Sequence, residues 1–73
     1  MSVRRAKEMT FRAYEDCGKY QKNIGYSKSQ KEVFELAEKA QTVNTVYVTQ
    51  ESISYPETTF AFKNPGEDWV SRD

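Results

Sequence analysis

The sequence predicts an α+β domain: a small antiparallel β-sheet of three to four strands with one amphipathic helix packed on one face, in the order β(β)αββ. Three observations carry this reading. Residues 29–32 form a helix-start signature followed by an apolar stripe at helical spacing, residues 9–14 alternate apolar and polar side chains, and residues 44–50 are dense in β-branched side chains. A lone amphipathic helix needs an apolar surface to lie on, and the inward sides of the strands supply one.

In residues 9–14, Met9, Phe11 and Ala13 are expected inward, with Arg12 and Tyr14 outward. Glu15, Asp16, Cys17 and Gly18 supply turn chemistry, so residues 19–24 read as a returning strand that ends at Asn23-Ile24-Gly25. Ser29 opens the helix with a capping box: its hydroxyl accepts from the Glu32 amide while the Glu32 carboxylate reaches back to the Ser29 amide. Val33, Leu36, Ala37 and Ala40 then make one narrow apolar stripe with Phe34 at its border, and the helix is expected to end near Gln41.

In residues 44–50, Val46 and Val48 face one way and Thr45, Tyr47 and Thr49 the other. Residues 53–55 and 58–63 read as extended, separated by the strand-breaking Pro56, with Phe60 and Phe62 both on the buried side. Asn64-Pro65-Gly66 closes that strand with a turn. Residues 67–73 are a loose tail or, through Trp69, a lid over the core, and residues 1–8 read as a flexible basic arm or, with Val3 and Ala6 on one side, a basic helical turn. The outer face of the sheet then collects Thr10, Arg12, Tyr14, Thr45, Tyr47, Thr49, Thr59 and Lys63.

A chain of 73 residues makes one domain with a thin core, since Leu, Ile, Val and Phe together number only 13. Ten aromatic residues and a net charge of zero argue for folding all the same, because aromatic side chains bury large areas and an uncharged chain does not repel itself. Cys17 is the only cysteine and histidine is absent, which excludes an intramolecular disulfide and any metal site built on two Cys or His ligands. That usage fits a reduced, cytoplasmic setting. No apolar run approaches the ~20 residues of a membrane span, and the basic residues 1–8 lack the apolar stretch of a signal peptide.

The zero net charge hides a polarised molecule. Residues 1–31 carry eight Lys or Arg against three Asp or Glu, and residues 32–73 carry three against eight. Such asymmetry between halves points to a charged partner. Catalysis is disfavoured, because general acid and base work near neutrality most often uses histidine and the adjacent pairs Glu15-Asp16 and Glu67-Asp68 point apart on extended backbone. Cys17 lacks the histidine that would activate it. Gly18, Gly25 and Gly66 stand singly, so no phosphate-cradling loop is present. No catalytic, cofactor-binding or metal-binding residue is assigned.

What remains is recognition. The first reading is a non-enzymatic protein-binding module, an inhibitor or regulator that docks on a larger protein through charge and a few aromatic anchors, with Arg4, Arg5, Arg12, Tyr14, Tyr47 and Trp69 as its contacts. Size and a lack of motifs alone suggest the style of small phage or mobile-element proteins that bind a host enzyme such as RNA polymerase or a defence nuclease. The alternative is a nucleic-acid binder in which Arg4, Arg5, Lys7, Arg12, Lys19 and Lys22 meet phosphates and Tyr20, with Tyr14 or Tyr47, stacks on bases. Self-association of the unlike halves is a third use of the same polarity.

Overall fold

The computed structural model describes residues 9–52 and 56–71. They form five strands and one helix: β1 (Met9–Asp16), β2 (Gln21–Ser27), α1 (Gln30–Lys39), β3 (Val46–Ser52), β4 (Thr58–Lys63) and β5 (Val70–Ser71). All strand pairs are antiparallel and the sheet order is β2-β1-β3-β4-β5, with α1 packed chiefly on β1 and β2. The α+β architecture is as expected, but the sheet has five strands rather than three to four. The additional one is β5, two residues contributed by the segment expected to be a tail or lid. No helix among the described residues is long and apolar enough to cross a membrane.

The two-residue side-chain period sorts each strand between two faces. Ala13, Val46, Val48 and Ala61 are buried beneath Val33 and Ala37 of α1, and Phe11, Ile24, Phe34, Phe60 and Trp69 pack around them. Two bulges break the period. On β2, Ala13 pairs with Gly25 and Tyr14 with Asn23, leaving Ile24 as an extra residue that joins the core. On β4, Val48 pairs with Ala61 and Thr49 with Thr59, leaving Phe60 extra. That bulge corrects the expectation that Phe60 and Phe62 share the buried side: Phe60 meets Phe11 and Phe34 under the helix, whereas Phe62 pairs with Tyr47 on the opposite face. Lys63, opposite Val46, likewise belongs to the helix side and not to the outer face.

The turn and cap chemistry shifts several boundaries. Gly18 takes a φ of +88°, a value that favours glycine, and its amide donates to Asp16 Oδ1, so β1 runs on to Asp16 and β2 starts only at Gln21. Gly25 does not end β2 but lies within it. A Cβ there would stand 2.8 Å from Leu36 Cδ1, so glycine lets the helix approach the strand. The Ser29 hydroxyl caps the helix by accepting from the Glu32 amide at 3.3 Å. The reciprocal half of the box is relayed. Glu32 accepts from the Ser27 hydroxyl, and that hydroxyl in turn accepts from the Ser29 amide. The helix stops at Lys39, with Ala40 extended as its C-cap.

The segment between α1 and β3 is organised by Glu15. Its side chain points to the helix side, and its Oε2 accepts from the Val43 amide at 3.0 Å, the Asn44 amide at 2.9 Å and Asn44 Nδ2 at 3.0 Å. Residues 43–44 are therefore held as a loop, and β3 begins at Val46 rather than at Asn44. The Val43 amide and the Asn44 donors, with the Lys22 ammonium opposite on β2, hold the Glu15 carboxyl below its ordinary range against the opposing cost of burial.

Candidate functional surface

The face of the sheet turned away from α1 carries the arrangement that bears on function. Register places Gln21, Asn23 and Tyr26 of β2 there, with Thr10, Arg12, Tyr14 and Asp16 of β1. Beside them lie Tyr47, Thr49 and Glu51 of β3, Thr59 and Phe62 of β4 and Val70 of β5. Tyr14 and Tyr47 are directly opposite in the β1-β3 pairing and stack with ring centroids 5.4 Å apart at 28°. Tyr47 continues the row to Phe62 at 6.2 Å and 37°. Cross-strand aromatics of this kind stiffen a sheet while keeping their outer surface open. All three rings are only part-buried, and Tyr26 at the β2 edge is 61% exposed.

Arg12 is fixed at one end of this row. Its guanidinium carbon lies 4.6 Å from the centroid of the Tyr14 ring. Nε donates to Asn23 Oδ1 at 3.3 Å, Nη2 to Gln21 Oε1 at 3.1 Å, and Nη1 to Glu57 Oε2 at 3.1 Å in an ion pair. The same Glu57 oxygen accepts from the Thr49 hydroxyl at 2.6 Å. Every nitrogen of the guanidinium is thus engaged within the molecule. The Tyr14 hydroxyl is pushed above its ordinary pKa, first by burial and then by the Glu57 carboxylate, with Arg12 acting in the opposite sense.

The proposed contact residues separate when placed on this frame. Arg12, Tyr14 and Tyr47 come together on the open face. Trp69 does not join them, because it folds over the helix side of the molecule: its ring stands edge-on to Phe34 at 4.8 Å and its Nε1 donates to Glu38 Oε2 at 2.7 Å. Of the two alternatives for this residue, the structure selects the lid. Arg4, Arg5 and Lys7, the arm of residues 1–8, and the extended reading of residues 53–55 lie outside the described residues. The remaining basic candidates do not form one surface. Lys19 and Tyr20 sit at the tip of the β1-β2 turn, where a hydrogen bond with the Cys17 side chain raises the Tyr20 pKa, and Lys22 faces the helix side opposite Glu15.

Phe62, Tyr26, Gln21, Asn23 and Glu57 belong to the open face and were not anticipated as part of it. The Phe62 position depends on the bulge at Phe60, and the Glu57 contact spans 45 residues of sequence, so neither has a local signal. Among the described residues no group of three or more His, Cys, Asp or Glu side chains is arranged to hold a metal ion. Compared with family models, curated proteins and solved structures, the chain matches none of them.

Proposed function

We propose that the protein is a non-enzymatic protein-binding module, an adaptor or inhibitor, that docks on a larger protein through the open face of its sheet. The observation that carries this reading is the continuous row Tyr14, Tyr47 and Phe62, part-exposed and uncovered by any other described element. Flat aromatic surface flanked by polar side chains is the composition that dominates protein interfaces. The internal engagement of the charged groups supports recognition over chemistry. Glu15 spends its carboxylate on three N–H donors and Glu57 is bound to Arg12 and Thr49, which leaves neither poised as an acid or base.

The same engagement argues against nucleic acid on this face. Arg12 is already neutralised by Glu57 and held by Asn23 and Gln21, and Asp16 and Glu51 on the same side would repel a phosphate. The experiment is capture of partners by tagged protein from lysate, with and without nuclease, comparing the parent with a Tyr47→Ser variant that retains its fold by circular dichroism. A stoichiometric protein that survives nuclease and is lost with Tyr47→Ser supports the reading. Loss of every partner on nuclease treatment would replace it with the nucleic-acid reading.

A further inference from the structure

Resting on that docking reading, we infer that the partner presents arginine side chains to this face, as a basic protein segment whose guanidinium groups lie on the Tyr47 and Phe62 rings and pair with the carboxylates at the rim. The molecule holds a guanidinium in this way already: Arg12 lies over Tyr14 while a carboxylate, Glu57, grips its Nη1. The row continues past Tyr14 to two further aromatic rings, and no described cation is placed over either of them. Electron-rich ring faces attract cations, and a planar guanidinium stacks on them more favourably than a compact ammonium does.

Charge points the same way. Among the described residues the open face carries Arg12 as its cation against Asp16, Glu51 and Glu57. Arg12 and Glu57 cancel in their ion pair, leaving the exposed Asp16 at one end of the face and the exposed Glu51 at the other. Asp16 is two residues along β1 from Tyr14 and Glu51 four residues along β3 from Tyr47, so a segment whose arginines stack on the rings runs between two carboxylates of this face. The surface therefore favours a basic partner, rejects a phosphate backbone, and discriminates against an acidic peptide by like-charge contact.

The test is titration of the isotope-labelled full chain by NMR with four probes: a short Gly-Arg-Gly-Arg-Gly peptide, its lysine and glutamate counterparts, and a single-stranded oligothymidylate. The arginine peptide should move the ring resonances of Tyr47 and Phe62 and bind roughly threefold or more tighter than the lysine peptide, the size of an exposed cation–π preference. The glutamate peptide and the oligonucleotide should leave those rings unmoved. An Asp16→Asn, Glu51→Gln double variant keeps an acceptor for the Gly18 amide and should weaken the arginine peptide about fivefold or more, the loss expected when two rim charges are removed. Equal shifts from the arginine and glutamate peptides would overturn the inference while leaving a protein-docking face. Shifts of the same rings by the oligonucleotide would overturn the docking reading itself. Absence of ring shifts with any probe, or shifts confined to α1, would overturn the inference.

Discussion

Trp69 ties the C-terminal strand to the helix, and its replacement reports whether the lid is an energetic part of the fold. Helix α1 covers β1 and β2, so the β4 side of the core depends on Phe60, Phe34 and Trp69 for its roof. A fully buried aromatic hides about 150–250 Å², so the half-buried Trp69 ring hides roughly 100 Å², worth about 2 kcal/mol at ~25 cal/mol per Å². The edge-on contact with Phe34 adds about 0.5–1.5 kcal/mol. The indole N–H to Glu38, at the exposed rim, adds about 1 kcal/mol. Trp69→Phe removes the last of these and leaves most of the ring, whereas Trp69→Ala removes all three, about 3.5–4.5 kcal/mol in total. For a domain of this size each kcal/mol shifts the midpoint by roughly 4–8 °C, so Trp69→Phe should lower Tm by about 4–8 °C and Trp69→Ala by about 14–36 °C.

The assay is thermal unfolding followed by far-ultraviolet circular dichroism, since the only tryptophan is being replaced. A double-mutant cycle with Glu38→Ala isolates the hydrogen bond: once Phe occupies position 69, removing the carboxylate should cost almost nothing further. If Trp69→Ala melts within about 2 °C of the parent, a shift smaller than 0.5 kcal/mol would produce, the lid contributes nothing and the reasoning fails.

Other expectations follow from the same contacts. The Glu15 carboxyl has a pKa below its ordinary value in the folded state, so its stabilisation is present above the unfolded carboxylate pKa and is lost as pH falls through the folded one. Glu15→Gln should therefore be less stable than the parent at neutral pH, with the gap closing in acid, as measured by denaturant unfolding across pH. The Tyr14 hydroxyl has a raised pKa, so its contribution is present below the unfolded tyrosine pKa and is lost as pH rises through the folded one. Tyr14→Phe should flatten the alkaline limb of the stability profile, and spectrophotometric titration should show one fewer late-ionising tyrosine. Gly25→Ala presses only on the flexible end of Leu36 and should change stability by less than about 1 kcal/mol, whereas Gly25→Val should cost more, since a branched side chain must displace the helix. Denaturant melts of the two variants check this order.

Much of the fold was legible in local pattern. The alternation of residues 9–14, the serine cap at Ser29 and the β-branched run around Val46 each encode their own conformation, and β1, α1 and β3 appear where those signals lie. Local pattern failed where a distant group decided the outcome. Glu15 reaches 29 residues along the chain to hold Asn44 out of β3, and the bulge at Phe60 turns Phe62 to the other face, a change that depends on how β4 meets β3. The open face was half legible for the same reason. Arg12, Tyr14 and Tyr47 follow from strand period, but the engagement of Arg12 by Gln21, Asn23 and Glu57 needs the assembled sheet. Charge polarity along the chain proved a poor guide to charge in space, since Arg12 and Lys22 come from the basic half and lie on opposite sides of the sheet.

The central claim is that the open sheet face is the docking surface, and site-directed photo-crosslinking tests it most directly. A photoreactive phenylalanine is placed at Tyr26, exposed at the edge of that face, or at the exposed Glu35 of α1, and lysate is irradiated with and without nuclease treatment. The account predicts a discrete protein adduct from position 26 and none from position 35. An adduct from position 35 alone, or capture from position 26 that disappears with nuclease, would contradict it.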